Sequence, residues 1–241
     1  MQKMEININA DLGEMAGQDE AIMPYLFSCN IATGGHIGDE ESMRKTIELA
    51  NEHRVKIGAH PSYPDTNNFG RVRPEISDSA LKESLKKQLY NFYELAAKIE
   101  VEIHHIKPHG ALYHDVANDK NKAALFLTIL DELGLKTSIY TLKDGFLNEF
   151  GQKEHKIYFE AFIDRRYKDD LNLVNRKESH ALINEAKRVW EQLESMYYHE
   201  KVKVETGNFV PLKADTYCLH GDHPNALEIL QYIYRKVNQN K

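Results

Sequence analysis

Residues 55–71 join a short apolar run to a polar loop that contains two prolines. The run 55–59 has the length and composition of a buried strand. Pro61 and Pro64 fix their own φ angles and favour extended geometry in the residues before them, so we expect an ordered loop. A buried strand that ends in such a loop, here at His60, is typical of α/β enzymes.

The same pattern recurs along the chain, because short apolar runs alternate with segments of helical periodicity. The seven predicted strands are 5–10, 27–32, 55–59, 101–106, 135–140, 156–159 and 215–219. The predicted helices are 40–53, 77–99, 118–133, 144–150, 179–197 and a last one that begins near Pro224. Residues 202–212, divided by Thr206-Gly207-Asn208, predict a β-hairpin before the last strand.

Polar residues follow almost every predicted strand. This distribution distinguishes between the two common folds that contain a parallel sheet. An open doubly wound sheet concentrates its chemistry at one switch point, whereas a closed barrel carries a ring of loops at one mouth. We therefore predict an α/β fold in which a seven-stranded parallel β/α barrel spans residues 1–241 as a single domain.

Composition excludes several classes of protein. A net charge of −6 with no basic cluster makes a nucleic-acid partner unexpected. No apolar run approaches the roughly 20 residues of a membrane-spanning helix, and the first residues contain no apolar signal region. Cys29 and Cys218 show neither disulfide nor metal-ligand spacing, so we expect reduced thiols and a cytoplasmic location.

Four histidines lie at the ends of predicted strands: His36, His60, His109 and His220. A shared site explains four such positions better than four separate structural roles. Lys107 adjoins His109, and together they can polarise a carbonyl group and transfer a proton. For His53, His104, His155, His180 and His199 we expect structural roles.

Asp11 and Glu14 follow the first predicted strand. A carboxylate there can bind a metal, orient a histidine, act as a general base or cap a turn. Imidazole and carboxylate ligands suit a divalent metal, with Asp11, His36 and His60 as candidates. The spacing does not separate a metal site from a proton relay, and the sequence contains no His-Glu-x-x-His motif.

Two further segments indicate anion binding. The glycine-rich residues 34–39 precede a helix, whose N-terminus favours an anion, although a plain tight turn fits equally well. Arg165 follows Glu160 and Asp164, and it can hold a substrate carboxylate or form a surface ion pair. The sequence contains no Gly-x-x-x-x-Gly-Lys-Ser/Thr phosphate loop.

Six motifs, in order, resemble the LamB/YcsF family. They are Asn-Ala-Asp-Leu-Gly-Glu at 9–14, Asn-Ile-Ala-Thr-Gly-Gly-His-Ile-Gly-Asp at 30–39, Ile-Gly-Ala-His-Pro-Ser-Tyr-Pro-Asp at 57–65, Lys-Pro-His-Gly-Ala-Leu-Tyr at 107–113, Asp-Arg-Arg-Tyr at 164–167 and Cys-Leu-His-Gly-Asp at 218–222. The chain departs from the family pattern at Thr33, Gly35 and Ile37, which change the wall beside His36 and Asp39.

The resemblance implies a barrel related to the glycoside hydrolase/deacetylase barrels. It also implies the A subunit of the prokaryotic 5-oxoprolinase, which opens the lactam of 5-oxoproline to L-glutamate with ATP as co-substrate. The implied partners are 5-oxoprolinase subunits B and C. Two alternatives stay open: a non-catalytic protein that binds a small acid or sugar, and a metal-dependent deacetylase or other hydrolase of the same barrel class.

We expect the catalytic residues to be His60, His109, Asp11 and Lys107. His60 and His109 are the preferred proton-transfer groups, because each follows a buried strand and adjoins a proline. Asp11 is expected to orient one of them or to bind a cation. The expected substrate-binding residues are His36, Asp39, Glu14, Asp65, Arg71, Glu160, Asp164, Arg165, His220 and Asp222.

Overall fold

Seven parallel strands close into a barrel in the computed structural model, which describes residues 6–239. In chain order the strands are β1 (Ile8–Leu12), β2 (Ser28–Ala32), β3 (Lys56–His60), β4 (Ile103–Ile106), β5 (Ser138–Thr141), β6 (Ile157–Phe162), β7 (Lys201–Lys203), β8 (Phe209–Pro211) and β9 (Thr216–Cys218). The barrel closes because β9 pairs in parallel with both β6 and β1. β7 and β8 form the antiparallel hairpin before the last strand. The predicted fold class is confirmed.

Helices join the barrel strands. They are α1 (Asp19–Ile22), α2 (Glu40–Glu52), α3 (Asp78–Lys98), α4 (Gly110–Asn118), α5 (Lys120–Glu132), α6 (Phe146–Gly151), α7 (Ala186–His199) and α8 (Ala226–Gln239). α3 shows why such a segment is helical: the Ser77 side chain caps its N-terminus, and Leu81, Leu85 and Leu89 repeat on its buried face. Within residues 6–239, no helix is long and apolar enough to cross a membrane.

The lumen of the barrel is polar. Successive side chains of a strand point to opposite faces, so Asn9 and Asp11 share one face of β1. Asn9 donates to Glu160 on β6, and Lys107, directly after β4, donates to Asp11. Such contacts between non-neighbouring strands cross the lumen, whereas Ile8 and its apolar neighbours belong to the hydrophobic core.

Near the site, one predicted strand boundary is wrong and one helix was not predicted. The first strand, predicted at 5–10, is Ile8–Leu12, so Asp11 lies within the strand; Glu5 is outside the described residues. The helix predicted at 118–133 is α5, whose N-terminus the Asp119 side chain caps by accepting from the backbone of Asn121 and Lys122, and the preceding helix α4 was not predicted.

A second wrong boundary concerns the helix predicted at 179–197. α7 begins only at Ala186, and residues 168–185 form an irregular segment. The backbone N–H of Ile183 donates to the carbonyl of Asp164, and Leu182 forms a β-bridge with Arg165. These bonds hold the segment, hereafter the mouth segment (168–185), beside the loop that follows β6.

Gly58 on β3 provides a test of the lumen packing. A Cβ there would collide with the imidazole of His105, whose Nε2 bonds Asn30 Oδ1 at 2.6 Å and whose ring stacks on Tyr140. Gly58→Ala is therefore expected to lower the free energy of unfolding by about 1–3 kcal/mol, measured by urea denaturation.

Gly151→Ala is the matched control, because its added Cβ would lie 3.3 Å from the flexible side chain of Leu127. It is expected to change the free energy of unfolding by less than about 1 kcal/mol. Equal stability of the two variants would show that His105 does not pack against β3 as described.

Candidate active site

Lys107 lies at the centre of a buried charge cluster in the lumen. Its Nζ donates to Asp11 Oδ1 at 2.9 Å and lies 3.0 Å from Glu160 Oε1. It also lies 3.2 Å from the sulfur of Cys218. Burial alone would lower the pKa of Lys107, but the Asp11 carboxylate and its other acidic neighbours hold that pKa well above its usual range. The ammonium group is therefore charged at neutral pH.

The carboxyl groups of the cluster differ from one another. Burial favours the protonated form of each, yet Lys107, followed by His60, holds the pKa of Asp11 well below its usual value. Burial raises the pKa of Glu160 despite the nearby ammonium, and it raises the pKa of Glu14 despite a hydrogen bond from His36. Asp11 is therefore the fixed negative charge of the site.

Two histidines face each other above Asp11. His60 Nδ1 lies 2.7 Å from the Lys107 carbonyl oxygen, and His109 Nε2 lies 2.9 Å from the Phe69 carbonyl oxygen. Their remaining nitrogens, His60 Nε2 and His109 Nδ1, are 2.9 Å apart. Burial lowers the pKa of His60 to about 3 and that of His109 well below its usual value. Both imidazoles are therefore neutral at pH 7.

His36 lies behind this pair. Its ring stacks on His109 with centroids 3.7 Å apart and an interplanar angle of 2°. Its Nε2 lies 2.8 Å from Glu14 Oε1, which in turn is 3.4 Å from His109 Nδ1. His36 thus holds both Glu14 and the plane of the His109 ring.

A close backbone contact places the loop after β3 over His109. Gly110 adopts φ +54°, and a Cβ there would lie 2.5 Å from the carbonyl oxygen of Gly70. Because Gly110 has no side chain, the two backbone segments can approach closely enough for Ala111 N to donate to that carbonyl at 2.9 Å. Phe69, itself at φ +54°, then presents its own carbonyl to His109.

A cavity of about 410 Å³ opens above the histidines. Arg71, Arg165 and Arg176 lie along its wall, the last contributed by the mouth segment. Asp222 accepts from Arg71 at 2.7 Å and from Arg176 at 2.6 Å, so one carboxylate is shared by two guanidinium groups. The mouth therefore carries excess positive charge above a floor that contains Asp11, which suits a small anionic ligand.

His220 forms the opposite wall of the cavity. Its Nδ1 donates to the buried carboxylate of Asp164 at 2.9 Å, and its ring stacks against Phe162. Burial would raise the pKa of Asp164, but His220 lowers it below its usual value. The ionised Asp164 fixes the orientation of the His220 ring and leaves Nε2 directed away from the carboxylate.

Comparison with known proteins agrees with this architecture. The family model described as the LamB/YcsF family matches residues 6–241. The chain belongs to the LamB/YcsF family. Among its relatives, the 5-oxoprolinase A subunit of Pyrococcus abyssi is 36% identical over 240 residues, covering 97% of this chain and 94% of that protein. The 5-oxoprolinase A subunit of Pyrococcus horikoshii is 35% identical over 240 residues, with the same coverage.

This chain is also similar to a protein whose structure has been solved. The lactam utilization protein of Thermus thermophilus superposes with a TM-score of 0.88 at 28% sequence identity, covering 98% of this chain and 97% of that protein. The closed seven-stranded barrel is therefore the fold that this LamB/YcsF chain shares with it.

Most residues selected from the sequence converge in this LamB/YcsF chain. Those that line the cavity are Asp11, Glu14, His60, Arg71, Lys107, His109, Arg165 and His220. His36, Glu160, Asp164 and Asp222 lie behind them and contact them. Asp39 and Asp65 do not reach the cavity: Asp39 caps α2 through Ser42, and Asp65 closes its own turn through Asn68. The functional roles of the convergent residues stay predictions.

Sequence reasoning missed several residues of the cavity. Asn172, Asn175 and Arg176 belong to the mouth segment, part of which was predicted as helix, and Tyr113 and His114 lie on α4, which was not predicted. Clustered asparagines beside an arginine, at 172–176, were an available signal of a turn at a binding site.

Two overlapping groups of side chains have the spacing of metal ligands. In each, the ligand atoms lie within 4.8 Å of one another, and His109 belongs to both: Asp11 with His60 and His109, and Glu14 with His36 and His109. The sequence candidates Asp11, His36 and His60 are thus divided between the two groups.

Lys107→Met tests the charge cluster. Removing the ammonium leaves Asp11 and Glu160 buried without their cation, so the free energy of unfolding is expected to fall by about 3–5 kcal/mol in urea denaturation. Adding Glu160→Gln to the same chain should recover part of that loss, because one unpaired carboxylate is removed.

Lys136→Met is the control for Lys107→Met. Lys136 forms an exposed ion pair with Glu154 at 2.7 Å, and its loss is expected to cost less than about 1 kcal/mol. A Lys107→Met variant no less stable than Lys136→Met would contradict the described cluster.

Proposed function

We propose that this chain is the A subunit of an ATP-dependent 5-oxoprolinase, which hydrolyses the lactam of 5-oxoproline to L-glutamate together with subunits B and C. The names of its relatives and of the similar lactam utilization protein support this proposal. The observation that carries it is the division of the cavity, which has guanidinium groups at its mouth and Lys107, Asp11 and two histidines at its floor.

The cavity suits 5-oxoproline in size and charge. About 410 Å³ accommodates a five-membered lactam with an attached carboxylate and a few waters. Arg165 is the proposed partner of the carboxylate, because it lines the cavity and its Nη2 donates to the Val174 carbonyl, which fixes the orientation of the guanidinium group. With the carboxylate at Arg165, the lactam extends toward Lys107.

Opening a lactam needs stabilisation of the carbonyl oxygen and a proton for the leaving nitrogen. Lys107 supplies a charged donor to the oxygen. His60 and His109 form the floor at which the attacking water binds, because His60 Nε2 and His109 Nδ1 point there while their other nitrogens donate to backbone carbonyls. Glu14, 3.4 Å from His109 Nδ1, is the adjacent group that can pass a proton onward. The sequence contains no phosphate loop, so we assign part of the ATP handling to the partner subunits.

Reconstitution tests the proposed activity. Combined with subunits B and C, the chain is expected to release glutamate from 5-oxoproline only when ATP is present. His60→Ala or His109→Ala in that complex should lower kcat by about 10²- to 10⁴-fold. His180→Ala, at an exposed histidine paired with Glu205, is the control and should keep the wild-type rate.

A stable complex that binds 5-oxoproline but releases no glutamate with ATP would overturn the proposal. It would favour the non-catalytic binding protein instead. ATP-independent release of glutamate or acetate by the chain alone would favour a hydrolase of the same barrel class.

The role proposed for Arg165 predicts a loss of affinity. In calorimetry on the chain alone, Arg165→Met should weaken 5-oxoproline binding about 10- to 100-fold, the value of a charge-assisted hydrogen bond. Binding of 2-pyrrolidinone, which lacks the carboxylate, should not change. Arg188→Met, at an exposed residue on α7, is the control variant and should bind both ligands normally. Equal losses for both ligands would show that Arg165 does not recognise the carboxylate.

A further inference from the structure

We propose that His60, His109 and Asp11 bind one divalent transition-metal cation at the floor of the cavity, with Glu14 beside it. Zinc is the reference cation, because neutral imidazoles and carboxylates are its common ligands in proteins. The inference is independent of lactam hydrolysis, since metal content is measured without substrate.

The hydrogen bonds of the two rings direct one lone pair of each ring toward the same point, where a cation can bind. A backbone carbonyl can only accept, so the hydrogen of His60 is on Nδ1, facing the Lys107 carbonyl, and that of His109 is on Nε2, facing the Phe69 carbonyl. His60 Nε2 and His109 Nδ1 are left with lone pairs that face each other across 2.9 Å. Two opposed lone pairs repel, and either a metal ion or an extra proton relieves the repulsion.

The surrounding carboxylates favour a metal ion over a proton. Asp11 Oδ1 lies 3.4 Å from His60 Nε2, and Glu14 Oε1 lies 3.4 Å from His109 Nδ1. For bonds of about 2.0–2.1 Å, the ligand atoms of a tetrahedral zinc site lie about 3.3 Å apart. Carbonyl acceptors on the remote nitrogens are also the usual way in which metal-binding histidines are oriented.

The charged groups of the lumen also favour a bound cation. Asp11, Glu14 and Glu160 are three buried carboxyl groups, and Lys107 is the ammonium among them. A bound divalent cation favours the ionised form of all three, and the resulting surplus of two negative charges neutralises the cation.

Ring geometry selects between the two possible ligand groups. His36 and His109 are stacked with an interplanar angle of 2° and centroids 3.7 Å apart, so a cation in the plane of one ring lies far from the plane of the other. The rings of His60 and His109 are inclined at 83°, which allows both lone pairs to meet at one point. The structure therefore assigns His36 to holding Glu14 through its 2.8 Å hydrogen bond.

Metal analysis of the intact chain tests the site. After treatment with a chelator and its removal, the protein is equilibrated with Zn²⁺, separated from free metal, and analysed by plasma mass spectrometry. About one equivalent is expected. His60→Gln and His109→Gln should each lower the bound fraction at least tenfold, and His180→Gln, at an exposed histidine, should retain the wild-type stoichiometry. Wild-type protein without bound zinc, or His109→Gln with full stoichiometry, would overturn the proposal.

Cobalt substitution keeps the test decisive where a variant fails to fold. Co²⁺ bound to the wild-type chain by two imidazoles and a carboxylate in a four- or five-coordinate site gives visible absorption bands that are stronger than those of the hydrated ion. Loss of these bands on addition of one equivalent of Zn²⁺ supports a single shared site. A spectrum equal to that of hydrated Co²⁺ would show that no ion binds between the two rings, and the metal site would be rejected.

Discussion

The buried ion pair of Lys107 with Asp11 and Glu160 is the interaction on which the site depends. It joins the ends of β1, β4 and β6 across the lumen, at 2.9 Å and 3.0 Å. Burying charges costs free energy that their mutual attraction only partly returns, so an apolar lumen would be no less stable. The charges of the lumen are therefore better explained by chemistry at the mouth than by stability of the barrel.

Much of the fold follows from the sequence because the barrel repeats one local rule. A short apolar run is buried as a strand, and an amphipathic segment covers it as a helix, so periodicity alone locates all seven barrel strands to within a few residues. The errors occur where local sequence signals are weak or a distant backbone group decides the structure. α4 was missed because it begins at a glycine and the side chain of His109 before it makes no cap hydrogen bond, and the carbonyl of Asp164 holds Ile183 out of α7.

The candidate site is predictable in part for a related reason. Parallel strands of a barrel end at one mouth, so residues such as Asp11, His60 and Lys107 converge although they are far apart in sequence. Asp39 was misplaced because a carboxylate before a helix serves equally well as a cap. Arg176 was missed because its position depends on the mouth segment, whose path is set by contacts with the loop after β6 rather than by local periodicity.

The separation of charge within the cavity restricts how any anion can bind. A carboxylate that approached the floor would meet the ionised Asp11 and displace the hydrogen bond from Lys107. At the mouth it meets three guanidinium groups, of which two share Asp222 and the third, Arg165, is held by a hydrogen bond to the Val174 carbonyl. An anionic ligand therefore enters with its charge outward, and its opposite end faces His60 and His109. This polarity, rather than the shape of the cavity alone, places an uncharged amide at the floor when the ligand is a cyclic amide with a carboxylate.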